Sequence, residues 1–466
     1  MRLLRVAFLL VTLSLASTIV RATPVHLWSH SYGDADDQYI NACVADPFGN
    51  VVLCGSFYGS INITTPFTSL GRRDVIVAKF APNGTPMWSS RIGFTSVDTG
   101  WSACSDNVGN TIVVGSVGPE PNVRNAFIAR YTPTGVQQWI KTFVATDSIA
   151  YCEVVATDAT KHIHVAGRFN GNINLGGSTL VGQAADDIFL AEFDAAGNHL
   201  WSKSFTAGGT FGDIGGIAVD ASGQPVLFGS FGGAVNFGGG ALSPVATFDL
   251  YLVKFSETGA WQWNKRFGLT GDHLARDLAI GESGRIALTG EAWGDLDFGG
   301  GPRPEITGPD IFLAVLNANG SHVWSKIFGA GDREAGTSVS FASNGDVVLS
   351  AWTQGTDPFT FGGAMFSGQA SHDDLLIARF FQANGNHRWS TKYTGPNGDT
   401  RGYAGETDGQ LFIGGTMSST TDFGGGPLPN AGLEQVFIAR FADQLTGAGP
   451  MAAPRAELFQ NSPNPF

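Results

Sequence analysis

DLYLVKFSETGAWQWNKRF, Asp249–Phe267, holds two strand-like runs in tandem. DLYLVKF and WQWNKRF are short runs rich in aromatic and branched residues, and SETG between them reads as a turn. Upstream, GGIAVD (Gly215–Asp220) and PVLFGSF (Pro225–Phe231) flank the turn ASGQ, where Gly223 is free to take positive φ. A longer loop carrying VNFGGG joins PVLFGSF to DLYLVKF. The alternation of apolar and polar residues favours strands over helices, so Gly212–Phe267 reads as four antiparallel strands.

The same unit recurs along the chain about every 60 residues. Its fourth strand is marked by Trp28, Trp88, Trp139, Trp201, Trp263, Trp324 and Trp389. Its third strand recurs in phase as Asp74–Phe80, Asn125–Tyr131, Asp187–Phe193, Asp249–Phe255, Asp310–Leu316, Asp374–Phe380 and Gln435–Phe441. Four short strands cannot bury both faces of their sheet alone. Radial stacking of seven such sheets does, which predicts an all-β, seven-bladed β-propeller over residues 23–441. After Phe441 no Trp-bearing fourth strand follows, yet Leu27–Tyr32 stands alone before the first unit. The two ends are therefore expected to share one blade and close the ring, leaving no open edge.

These residues resemble the SBBP (seven-bladed β-propeller) repeat family. Ala45, Asp46, Gly49, Asn50, Val51, Gly55, Ser56 and Phe57 carry the first part of its pattern, and Phe237–Gly240 with Asp249–Phe267 the second. The resemblance implies a propeller of the kind found in varied bacterial secreted and surface proteins, and implies no particular ligand. Unit two departs by lacking the F-G-G-G run, and it is about ten residues short between its second and third strands, which predicts a notch in the rim. Unit six has Ala351-Trp352 where Gly is usual.

Composition agrees with many strands and tight turns. Of 466 residues, 64 are Gly, roughly twice the usual share. The net charge of −13 argues against a nucleic-acid partner and against docking on anionic membranes. Arg2 and Arg5 precede the apolar run Val6–Ala16, and Val20-Arg21-Ala22 fits a signal-peptidase site. The run is too short to span a bilayer core of about 30 Å, so residues 1–22 are expected to be a cleaved signal peptide. Residues 442–456 read as an Ala/Gly/Pro linker. Leu458–Phe466, LFQNSPNPF, is similar to the opening of C-terminal sorting or FlgD-like domains of secreted bacterial proteins, with Ser462 where Tyr is usual. Such a domain would be expected to continue past Phe466.

Each of the seven inter-blade loops contributes an Asp: Asp37, Asp98, Asp147, Asp213, Asp272, Asp332 and Asp399. With the Asp that opens most third strands, they would ring one face. Carboxylates there could attract Ca²⁺, which prefers oxygen ligands. Asp that recurs with the repeat is better explained by turn chemistry, since Asp hydrogen-bonds its own backbone. The repeat Trp residues read as packing between blades. Trp293 and Trp352, directly after second strands, are candidates to stack on a sugar or a partner, against a filler role in packing. His162 and His164 share one side of a strand and could begin a metal site, but no third ligand is visible. Counting from the turn places Cys43 opposite Cys54, close enough for a disulfide, with two buried thiols as the alternative. Cys104 and Cys152 have equal parity and are expected not to face each other.

No G-x-S-x-G, H-E-x-x-H or phosphate-binding loop occurs. The chain therefore reads as a secreted or cell-surface, monomeric, non-catalytic propeller that binds protein or glycan. The alternatives are an extracellular polysaccharide hydrolase or lyase using the acidic face, and a structural spacer in a larger surface protein.

Overall fold

A computed structural model describes residues 23–443, apart from 148, 184, 185, 210 and 307. The expected signal segment and nearly all of the linker and tail lie outside the described residues. Seven four-stranded antiparallel sheets form the body, and no helix occurs among the described residues. Blade three is typical, with Ala150–Thr157, Ile163–Phe169, Asp187–Phe193 and His199–Phe205 in chain order. In blade seven, Thr400–Thr407, Gln410–Met417 and Gln435–Ala442 are completed by Val25–Tyr32, which pairs antiparallel with the last strand. The termini thus close the ring as the sequence predicts.

Packing confirms the closure. Among the described residues there are seven buried clusters, and each draws its side chains from two neighbouring blades, including one between blades seven and one. Being covered on both faces, second and third strands such as Val51–Phe57 and Asp74–Phe80 are buried throughout. Fourth strands lie at the rim and are only partly covered.

The repeat Trp joins one blade to the next. The indole N–H groups of Trp28, Trp88, Trp139, Trp201 and Trp324 donate to the carbonyls of Pro82, Pro133, Ala195, Glu257 and Gln382, each in the last turn of the following blade. A Gly of that turn lies flat on the ring. Gly135 has φ of 85°, and a Cβ there would stand 2.5 Å from Trp88 Cγ. Only Gly fits both the φ and the approach.

The cysteine expectations need correction. The first turn closes between Asp46 and Asn50, one residue earlier than assumed. Cys43 therefore faces Leu53, while Cys54 faces Ala42. A one-residue slip turns a side chain to the other face of the sheet. Cys43 enters the core with blade seven and Cys54 the core with blade two. All four cysteines are buried free thiols. Cys104 and Cys152, expected to point the same way round the ring and so not to face each other, enter the same core between blades two and three. The cause is a bulge in the innermost strands, between Gly100 and Ser102 and between Cys152 and Val154. Cys104 follows its bulge and Cys152 precedes it, so their parity is inverted.

Candidate functional site

The inter-blade loops and the loops between second and third strands meet at one face, called the upper face. Its acids are mostly engaged in holding those loops. Oδ2 of Asp74, Asp187, Asp249 and Asp310 accepts the backbone N–H four residues earlier, from Leu70, Gln183, Val245 and Ile306, at 3.0, 2.5, 2.9 and 2.7 Å. Of the inter-blade acids, Asp98 accepts from Phe94 and Gly118, Asp272 from Phe248, Asp332 from Asp357 and Asp399 from Asp373. Asp213 pairs with Arg276 at 2.7 Å, Asp37 lies beside Tyr39, and Asp147 is exposed. Burial pushes the Asp98 carboxyl up to about 6, although its two N–H donors oppose the shift.

These acids do not gather into one centre. Among the described residues, one set of three metal-ligating groups has its atoms within 4.8 Å of one another, and it contains none of the seven. That set is Asp158, His164 and Glu192, at the opposite, lower end of blade three.

The two candidate Trp residues differ. Trp293 is 41% exposed. Trp352 is buried, and the guanidinium groups of Arg333 and Arg401 lie over its ring at 5.1 and 5.5 Å. Trp352 therefore packs against arginines and offers little open face to a ligand.

Sequence reasoning missed those arginines. Arg168, Arg276, Arg333 and Arg401 form a charge network around the upper mouth of the central channel. Arg168 pairs with Glu153 at 3.0 Å, Arg276 with Asp213 and Glu291, Arg333 with Glu291 at 3.4 Å, and Arg401 with Asp373. Arg276, Arg333 and Arg401 lie in innermost strands of a chain poor in cations, and that was the available signal. Beside this network, burial pushes the Glu434 carboxyl up to about 7. Arg401 opposes that shift, and Asp399, Asp37 and Asp373 add to it. Toward the lower face, a cavity of about 630 Å³ is lined by Asp277, Ser338, Ser340, Tyr403 and Glu406 among others.

The fold and this face define a β-propeller repeat protein. No family model matches the chain. It is 23% identical over 230 residues to an uncharacterized WD repeat-containing protein, L264, of Acanthamoeba polyphaga mimivirus. That match covers 38% of this chain and 16% of the relative, so the chain spans a minor part of the relative's length. Among solved structures, it is similar to quinohemoprotein alcohol dehydrogenase from Comamonas testosteroni, at TM-score 0.42 and 10% identity, covering 92% and 78% of the two chains. It is also similar to polysaccharide lyase Uly1, at TM-score 0.42 and 8% identity, covering 88% and 90%.

Proposed function

We propose that the chain is a secreted or cell-surface binding scaffold whose upper face takes a protein or a glycan. One observation supports this most. Leu70, Val245 and Ile306 occupy the same loop position in blades one, four and five, each braced by a buried Asp, and they are 58, 58 and 50% exposed. Single exposed apolar residues are ordinary, but a rigidly held set on one face is what a contact surface needs. Exposed Trp293 adds an aromatic platform to that face. Among the described residues no helix is long and apolar enough to cross a membrane.

The test is a glycan array and a peptide display probed with the full chain and with Leu70→Asp/Val245→Asp/Ile306→Asp. Binding weaker by about tenfold or more, roughly 1.4 kcal/mol, with unchanged circular dichroism supports the reading. Equal binding by both proteins opposes it.

A second reading is a polysaccharide hydrolase or lyase, favoured by Glu434. A carboxyl raised to about 7 among other acids has the character of a general acid. New reducing ends or unsaturated products from an acidic polysaccharide, lost in Glu434→Gln, would support it.

A further inference from the structure

Four positions recur at the lower face of the blades. They are the residue that begins the turn after the first strand, the residue that closes it, the second residue of the second strand, and the residue opposite that one on the third strand. In blade one these are Asp46, Asn50, Val52 and Lys79. In blade two they are Asp106, Asn110, Ile112 and Arg130, and in blade four Asp220, Gln224, Val226 and Lys254. In all three the Asp Oδ2 meets the cation, at 2.7, 2.6 and 2.6 Å. A buried carboxylate requires such a partner.

Blade three keeps the Asp and changes the other three positions to His162, His164 and Glu192, around Asp158. The place that supplies the cation elsewhere supplies a second carboxylate here. Both carboxylates are nearly buried, and His164 beside them is fully buried. Its Nε2 stands 3.8 Å from Asp158 Oδ2 and its Nδ1 3.8 Å from Glu192 Oε2, and neither nitrogen makes a hydrogen bond. His162 borders the same space from the solvent side, with Nδ1 2.7 Å from Glu192 Oε1 and 3.6 Å from Asp158 Oδ2.

The supports around these groups also fit. Asp158 Oδ1 accepts the N–H groups of Thr160 and His162 and the Thr160 hydroxyl, which leaves Oδ2 aimed at the imidazoles. The Trp201 indole N–H, shared with the Glu257 carbonyl, also donates to Glu192 Oε2 at 2.6 Å. Outer contacts of this kind orient ligands. One His164 nitrogen can ligate a given ion, and one atom each from Asp158, His164 and Glu192 lie within 4.8 Å of one another, so a modest inward shift brings them to the about 3.4 Å that separates ligand atoms bound tetrahedrally at about 2.1 Å.

We propose that Asp158, His164 and Glu192, with His162 as fourth ligand, bind one zinc-type divalent ion that replaces the Lys or Arg cation of the sister blades. Two imidazoles with two carboxylates suit Zn²⁺ and its transition-metal neighbours, whereas Ca²⁺ and Mg²⁺ call for all-oxygen sets. Four protein ligands in a nearly closed site make it structural, holding blade three together rather than activating water.

The experiment is a Zn²⁺ titration of the full, untagged chain by calorimetry, with Co²⁺ absorption as a second readout. One equivalent should bind, and Co²⁺ should give the visible bands of a tetrahedral nitrogen–oxygen site. Glu192→Gln should weaken binding by more than the ~10–100-fold that losing an outer-shell partner costs. If Glu192→Gln fails to fold, His164→Val, which restores the residue type of Val52, serves in its place. Absence of binding in the wild type, or equal binding in a folded variant, would overturn the proposal.

Discussion

Glu192 lies directly across from His164 on adjacent strands of blade three, its Oε2 3.8 Å from the imidazole Nδ1. The same register position sets Lys79 against Val52 in blade one and Lys254 against Val226 in blade four. One blade thus follows the common backbone plan with its buried charge reversed. Chelation should therefore lower the melting temperature of the full chain, and Zn²⁺ should restore it. At 100 times Kd the ion stabilises by about 2.7 kcal/mol. Added Ca²⁺ should fail to restore the loss. A melt indifferent to chelator would count against the zinc-type site, and a melt answering to Ca²⁺ would turn attention to the upper-face Asp residues.

The Trp–Gly contact between blades predicts a large stability effect. Trp88 is buried, donates to Pro133 and stacks on Tyr131 at 5.5 Å. Trp88→Ala should cost about 3–5 kcal/mol by denaturant unfolding. Gly135→Ala should also destabilise, because its Cβ would collide with that ring at a positive φ. A neutral result for both would refute the latch.

The thiols give a chemical check on the strand register. All four cysteines are free and buried. A thiol reagent should therefore find none in the native chain and four after denaturation, even in protein prepared without reductant. Two thiols after denaturation would restore the Cys43–Cys54 disulfide.

Acid should help this fold before it harms it. Burial raises the carboxyls of Asp98 and Asp310 to about 6 and those of Glu334 and Glu434 to about 7. Their ordinary values are 3.8 for Asp and 4.5 for Glu, so folding takes up protons between those values and the raised ones. Their contribution is full below the ordinary values and falls as pH rises through the raised ones. His273, held down to about 4 by burial, and His26, His30, His199 and His322, also lowered by burial, act in the opposite sense up to the ordinary 6.5. Above 6.5 the imidazoles are neutral in both states while Glu334 and Glu434 still titrate, so the urea midpoint should fall from pH 6.5 to pH 7.5, and Glu434→Gln should flatten part of the fall. A rising midpoint would contradict these assignments.

The ring was readable because the markers at Trp28 and its six counterparts repeat in phase, and packing of one blade on the next forces that repetition. The pairing of Cys43 and the meeting of Cys104 with Cys152 were not, since a five-residue turn in the first case and bulges in the second shift register without leaving a mark in the alternation. His162 and His164 were visible as a pair. Their partners were hidden because Asp158 looks like any turn Asp and Glu192 like any strand polar residue. Aligning the blades at Lys79, Arg130, Glu192 and Lys254 would have exposed the exchange. The arginines of the channel mouth come from different blades with no common spacing, so only the closed ring brings them together.

The most direct test of the exchanged cation is to give blade three the residues of blade one. The full chain carrying His162→Asn, His164→Val and Glu192→Lys should melt without metal at or above the zinc-loaded wild type, and should not respond to Zn²⁺. A variant that stays responsive to Zn²⁺, or that melts below the metal-free wild type, would contradict the account.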